Sequence, residues 1–168
     1  EKLKKVLKVA GEHNVSNALA ALHVGRLLGI HEPHILYALS NFRGAWRRFQ
    51  LKGIFRGATV ISDYGHHPRE IHATIHAARE RFPLRRIWCI FQPHHYERLH
   101  ALWDEFVGAF DLADCVVLLP VYEVAGRERR VAQRRQKNSE RLAAVITERK
   151  NDVHYAATFD AAGEILDN

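Results

Sequence analysis

The sequence predicts a doubly wound α/β fold with a mostly parallel sheet, preceded by a short helical segment. Three observations predict it. Short apolar runs, Ile87-Trp88-Cys89-Ile90-Phe91 and Cys115-Val116-Val117-Leu118-Leu119, alternate with stretches of helical period. Strands that are apolar throughout belong to a sheet covered on both faces, the parallel-sheet pattern. Polar, histidine-rich loops follow the strands at their C-terminal ends, where such sheets bind ligands.

The elements follow in order. Residues 14–28 place Val15, Ala18, Leu19 and Leu22 at helical spacing, with Asn14 as the expected N-cap and Gly29 as the expected C′ stop. A second helix is predicted from Glu32 to Leu39, with Pro33 in the first turn, where its missing N–H costs nothing. Two helices cannot enclose a core of their own. Residues 1–45 are therefore expected to be the helical tail and hinge of a preceding domain, and residues 46–168 a domain in themselves. Arg48 to Ile54 and Ala58 to Ser62 read as strands around a tight turn at Phe55-Arg56-Gly57, with Gly57 at positive φ. Helices are predicted over Arg69–Arg81, Arg98–Phe110, Glu140–Arg149 (capped by Ser139) and Ala161–Leu166. Strands are predicted over Arg86–Phe91, Cys115–Leu119 and Val153–Tyr155. Another strand is expected after the last helix, so the domain is expected to be truncated at its end.

Composition narrows the class. With 47% hydrophobic and 26% charged residues, the chain is globular in composition rather than disordered. No apolar run approaches the roughly 18 residues of a membrane span. Cys89 and Cys115 sit inside apolar strands and read as buried hydrophobes, which fits a reducing, cytoplasmic setting. The formal net charge of +6 favours anionic partners. Much of that excess lies in Arg127, Arg129, Arg130, Arg134, Arg135 and Lys137, a pattern usual for a solvated face. There is no methionine in the chain, so a segment upstream of Glu1 is expected.

Two loops carry the chemistry. Ser62-Asp63-Tyr64-Gly65-His66-His67-Pro68 joins a strand to a helix at the C-terminal sheet edge. Asp63 suits ribose hydroxyls, while His66 and the following helix N-terminus suit an anion. Gln92-Pro93-His94-His95-Tyr96-Glu97-Arg98 stands at the next strand end, where Arg98 and His94 suit a carboxylate. Both loops read equally as polar strand–helix turns. His72 and His76 lie one helical turn apart, as a zinc pair would. No carboxylate or cysteine at ligand spacing completes that site, so no metal is expected there.

Taken together and in order, four segments resemble the Mur ligase family. Gly11-Glu12-His13-Asn14-Val15-Ser16-Asn17-Ala18-Leu19-Ala20-Ala21 is similar to the family's G-x-H-N-x-x-N-x-x-A-A segment, which closes the central domain. Phe42-Arg43-Gly44 with Arg47-Arg48-Phe49 is similar to its F-x-G-x-x-R-R-F hinge. Asp63-Tyr64-Gly65-His66-His67-Pro68 resembles D-Y-A-H-H-P, and Phe91-Gln92-Pro93-His94 resembles F-Q-P-H. The last two forms are those of the branch acting on UDP-N-acetylmuramate with L-alanine or with a recycled tripeptide.

The resemblance implies a Rossmann-like C-terminal ligase domain and an ATP-dependent, ADP-forming amide ligase of peptidoglycan precursor synthesis. It implies UDP-N-acetylmuramate, L-alanine and ATP as partners, with Mg2+ in the full-length enzyme and missing N-terminal and central domains. Nucleic acid and membrane are not expected partners. By the same resemblance Asn17 meets the adenine, Arg48 the terminal phosphates and Asp63 the ribose, with Tyr64 and His66 in the nucleotide loop. His94 and Arg98 face the amino acid or the muramyl carboxyl group. No G-x-x-G-K-[ST] phosphate loop occurs in the chain, so it is expected to be inactive alone, to hold no catalytic residue and to bind nucleotide weakly.

The family's H-R-Y-[ST]-R stands here as His94-His95-Tyr96-Glu97-Arg98, and histidine does not replace a bidentate arginine. Two readings from other classes compete. One is a basic nucleic-acid-binding module built on Arg127 to Lys137, with salt-dependent binding but no interleaved aromatics for stacking. The other is an interaction domain that keeps the ligase fold without its chemistry.

Overall fold

A computed structural model of the chain describes residues 2–9, 11–122, 136–150 and 152–167. Two compact units share it, one made of Glu1–Gly65 with His76–Pro83, the other of His66–Ile75 with Leu84–Asn168. Arg127, Arg129, Arg130, Arg134 and Arg135 of the basic stretch lie outside the described residues; Lys137 lies within them.

The first unit opens with helices α1 (Lys2–Val6), α2 (Glu12–Leu27) and α3 (Glu32–Asn41). Their apolar positions bring Leu3, Leu22 and Ile35 into a small buried cluster flanked by Val15, Leu36 and Leu39. Helices of this length rest mainly on such packing. Gly25 permits the closest approach, since a Cβ there would stand 2.7 Å from Ile35 Cδ1. The end of α2 is as predicted. Gly29 takes φ 73, and the N–H groups of Ile30 and Gly29 bond the carbonyls of Gly25 (2.9 Å) and Arg26 (3.0 Å), a Schellman stop. Its start differs from expectation: the N-cap is Gly11, at φ 98, and not Asn14. The turn into the helix is made by backbone alone, with the Asn14 N–H bonded to the Gly11 carbonyl at 3.0 Å.

Strands β1 (Gln50–Phe55) and β2 (Ala58–Ser62) form an antiparallel hairpin. Phe55 pairs with Ala58 and so belongs to the strand, which leaves Arg56 and Gly57 as the loop. Both take positive φ, 49 and 81, as a two-residue turn matched to strand twist requires. Arg48 and Phe49, predicted within β1, precede it. Phe49 has φ 47, outside the extended region.

Helix α4 (Pro68–Arg81) contributes to both units. The second unit continues with β3 (Trp88–Phe91), α5 (Tyr96–Ala101), α6 (Trp103–Gly108), β4 (Cys115–Leu118), α7 (Ser139–Thr147), β5 (Val153–Tyr155) and α8 (Phe159–Asp167). The three strands form a parallel sheet in the order β3-β4-β5. Successive side chains of β4 point to opposite faces. Val116 and Leu118 join Ile71, Ile75, Leu99, Phe106, Phe110, Leu142 and Ile146 in one core layer. Cys115, Val117 and Leu119 join Ala156 and Ala162 in the other, beneath α8. Helices therefore cover both faces, as the continuous apolar strands predict.

Two predicted features are corrected in this unit. The single helix expected over Arg98–Phe110 is broken at Leu102, whose φ of −113 and ψ of 29 are not helical. Bonds from Leu102 to Arg98 (3.0 Å) and from Phe106 to Leu102 (2.9 Å) persist on either side, so the break is a kink that keeps the apolar face in phase. The cap of α7 is Asn138, whose side chain accepts the Arg141 N–H at 2.8 Å, and not Ser139. Ser139 is instead buried, and its Oγ finds no hydrogen-bond partner among the described residues. Lys137 donates to the His100 carbonyl at 3.3 Å and lies 5.4 Å from the Trp103 ring centroid, so the end of the basic stretch rests on α5 and α6. Among the described residues no helix is long and apolar enough to cross a membrane.

Candidate functional site

In the first unit the site is built around Asp63, just past the end of β2. One carboxylate oxygen accepts the Gly65 N–H at 2.6 Å, closing a turn on its own loop. The other accepts the Phe49 N–H at 2.8 Å. The Tyr64 N–H returns to the Arg47 carbonyl at 2.7 Å. These bonds tie the segment entering β1 to the segment leaving β2. They hold Arg47 and Phe49 at φ 53 and 47, left-handed values that cost non-glycine residues energy. The Arg47 guanidinium lies 4.7 Å from the Tyr64 ring centroid and 5.5 Å from that of Trp46, within cation–π range of both. Arg48 is exposed beside it, and Asn17 is exposed on α2.

In the second unit the start of α4 is a capping box with histidine in the cap position. His67 Nδ1 accepts the Arg69 N–H at 3.3 Å. Glu70, three residues on, accepts the N–H groups of His66 (3.0 Å) and His67 (3.1 Å). Its carboxylate also faces His66 Nδ1 at 3.6 Å. Pro68 is buried and takes the first helical position, one residue before the predicted start at Arg69. The two N–H groups that an anion would use are thus already bonded to a carboxylate from the same helix.

At the C-terminal end of β3, Gln92 donates to the Pro120 carbonyl at 3.1 Å, and the Tyr122 N–H bonds the Pro93 carbonyl at 2.8 Å. This extends the β3–β4 pairing to a bridge between His94 and Tyr122. The two rings stack at 5.2 Å with 24° between planes, and His95 packs edge-on to His94 at 4.1 Å. His95 takes φ 71 as the residue before α5. Arg98 Nη1 approaches the His94 carbonyl at 3.4 Å, so one turn of helix holds the two together.

Arg48, Asp63 and Tyr64 therefore gather in the first unit, with Asn17 on a helix of the same unit. His66, His94 and Arg98 belong to the second. Arg47 and Tyr122 were not singled out from sequence. Arg47 lay inside the hinge motif, but its role depends on two rings separated along the chain. Tyr122 could have been found from its place beyond the C-terminal end of β4, on the same edge as His94. His72 and His76 are exposed on α4, and His76 Nδ1 faces Glu80 at 3.8 Å.

The parallel β3-β4-β5 sheet with helices on both faces defines the class, and comparison with known proteins agrees. The family Mur ligase, glutamate ligase domain, matches residues 47–167, and the chain belongs to this family. It is 40% identical over 160 residues to the UDP-N-acetylmuramate–L-alanine ligase of Caldanaerobacter subterraneus subsp. tengcongensis, covering 95% of this chain and 34% of that protein. The protein of the same name from Acidithiobacillus ferrooxidans is 52% identical over 116 residues, covering 69% of this chain and 25% of its own length. Among solved structures, the UDP-N-acetylmuramate–alanine ligase of Thermotoga maritima superposes with a TM-score of 0.75 at 30% identity, covering 95% of this chain and 32% of that one. The chain thus spans about a third of the length of the first of these relatives and a quarter of the second. A folylpolyglutamate synthase from Mycobacterium tuberculosis, complexed with ADP, shares the fold at a TM-score of 0.64 and 20% identity.

Proposed function

We propose that the chain is the C-terminal part of an ATP-dependent, ADP-forming amide ligase that joins L-alanine to UDP-N-acetylmuramate, working in the cytoplasm. The observation that carries this reading is the 40% identity, across 95% of the chain, to a ligase of that name. In such a reaction the muramyl carboxylate takes the terminal phosphoryl group of ATP and ADP leaves. The alanine amine attacks the acyl phosphate, an amide bond forms, and phosphate and a proton depart. Carboxylates are poor electrophiles, so catalysis rests on positioning and charge stabilisation.

Asp63 fits a ribose. Each of its carboxylate oxygens accepts one backbone N–H and keeps a lone pair for a hydroxyl. Arg48 meets the terminal phosphates, Asn17 the adenine, and Tyr64 and His66 line the nucleotide loop. His94 and Arg98 orient the amino acid or the muramyl carboxyl group. Residues 1–45 are the tail of the central domain and residues 46–168 the C-terminal domain. Mg2+, which screens phosphate charge when bound, belongs with the phosphate loop beyond this chain. The isolated chain is inactive and holds nucleotide weakly.

The test replaces the C-terminal third of the Thermotoga maritima ligase with this chain. ADP release that depends on UDP-N-acetylmuramate and L-alanine is expected from the chimera, with none from the chain alone. Release that requires a tripeptide in place of L-alanine would move the reading to the recycling branch. A chimera that folds and binds its substrates without turnover would overturn it.

A further inference from the structure

The edge of the parallel sheet opposite the histidine loops carries a second cluster of chemically capable groups. Cys115 opens β4 and Asp152 precedes β5, with His154 two residues further on. On a strand, positions two apart share a face, so Asp152 and His154 lie on the side of Cys115, while Val153 packs into the opposite core layer. Backbone bonds fix this register. The Val116 N–H meets the Asp152 carbonyl at 3.0 Å, and Val117 pairs with His154. One ligand atom from each of the three side chains lies within 4.8 Å of the others.

We propose that Cys115, Asp152 and His154 form a site for a thiophilic divalent cation of the zinc class. The ligand chemistry selects that class. A thiolate and an imidazole favour a borderline-soft ion over Mg2+ or Ca2+, and three protein ligands with one open position are a familiar zinc arrangement. Zinc holds sulfur at about 2.3 Å and nitrogen or oxygen at about 2.1 Å, and the three groups already stand close to the separations one ion imposes. His154 Nε2 and Asp152 Oδ1 share a hydrogen bond at 2.8 Å, which an ion entering the cluster would replace. Arg86 bonds the other oxygen, Oδ2, and lies 5.1 Å from the Trp88 ring centroid. It orients the carboxylate from behind, as outer partners of metal ligands do.

An ion of this class takes the cysteine side chain as a thiolate. Cation binding replaces the thiol proton, which leaves to solvent, so affinity rises with pH. The site joins the starts of β4 and β5 at the end of the sheet remote from the His94 loop.

The probes are Co2+ and Zn2+ added to the metal-free protein under reducing conditions. One equivalent of Co2+ is expected to produce visible d–d absorption and a near-ultraviolet thiolate charge-transfer band. Cys115→Ser should abolish that band and Cys89→Ala, on the other sheet face, should retain it. His154 is exposed, so His154→Ala is expected to fold and to bind Zn2+ at least tenfold more weakly. Zn2+ should raise the Tm of the protein and raise that of His154→Ala less at the same concentration. A Co2+ complex with no thiolate band, or one unchanged by Cys115→Ser, overturns the proposal. So does a Zn2+ effect on Tm that is equal in the two proteins.

Discussion

The Asp63 carboxylate holds the backbone N–H of Phe49 at 2.8 Å, joining the two ends of the β1–β2 hairpin through one side chain. With the Gly65 bond on its other oxygen, the residue proposed to meet a nucleotide also organises the loop around it. Asp63→Ala should therefore cost about 2 kcal/mol of stability, from two lost hydrogen bonds to a charged acceptor. Urea unfolding checks this. Asp63→Asn should fall between alanine and wild type, because its single oxygen can satisfy only one of the two N–H groups. If Asp63→Ala is as stable as wild type, the side chain does not hold the loop.

Glu70 occupies the N–H groups at the start of α4, which sets up a competition. Glu70→Ala should destabilise the protein by about 1 kcal/mol through loss of the capping box. It should also strengthen the binding of phosphate at that helix end, because two N–H groups come free while a negative charge disappears. Thermal unfolding with and without phosphate reads both effects. A phosphate shift no larger than in wild type would argue against the second.

Neighbouring residues at the start of α7 should respond in opposite ways. Asn138→Ala removes the acceptor of the Arg141 N–H and should cost about 1 kcal/mol. Ser139→Ala removes a buried hydroxyl without a partner and should be neutral or stabilising. Denaturant midpoints of the two variants settle the matter; a large loss in Ser139→Ala would mean that the hydroxyl is bonded after all.

Burial pushes the Cys89 thiol up to about 12, from an ordinary value near 9. Only the thiolate attacks an alkylating reagent. At pH 8 the thiolate fraction falls from about one in ten to about one in ten thousand, so labelling should slow on the order of a thousandfold relative to a free thiol. Iodoacetamide labelling in native buffer and in urea measures the ratio. Fast native labelling of Cys89 would contradict it.

Much of the fold was legible because the apolar period and the turn residues agree. The spacing through Ala18 and Leu22 gave α2, Gly29 gave its stop, and Gly57 gave the hairpin loop. Less legible were features that leave the period intact. The kink at Leu102 keeps Leu99, Phe106 and Phe110 on one buried face, so no hydrophobic pattern marks it. Asn138 and Ser139 are both good caps, and only burial of Ser139 separates them. At the candidate site, motif order located the loops but not their partners. Arg47 stacks on Tyr64, and Tyr122 stacks on His94, across gaps that sequence spacing does not encode. The Cys115, Asp152 and His154 cluster was hidden for the same reason: it exists only in the parallel register.

The central strand β4 has a neighbour on each side, and its side chains fill both core layers. Its amides can reach solvent only when the sheet itself comes apart. In hydrogen–deuterium exchange, Val116, Val117 and Leu118 should therefore set the slowest clock in the molecule, reporting global opening rather than local breathing. The β1–β2 hairpin, whose strand residues are largely exposed, should exchange much earlier. One chain would then show two distinct opening energies.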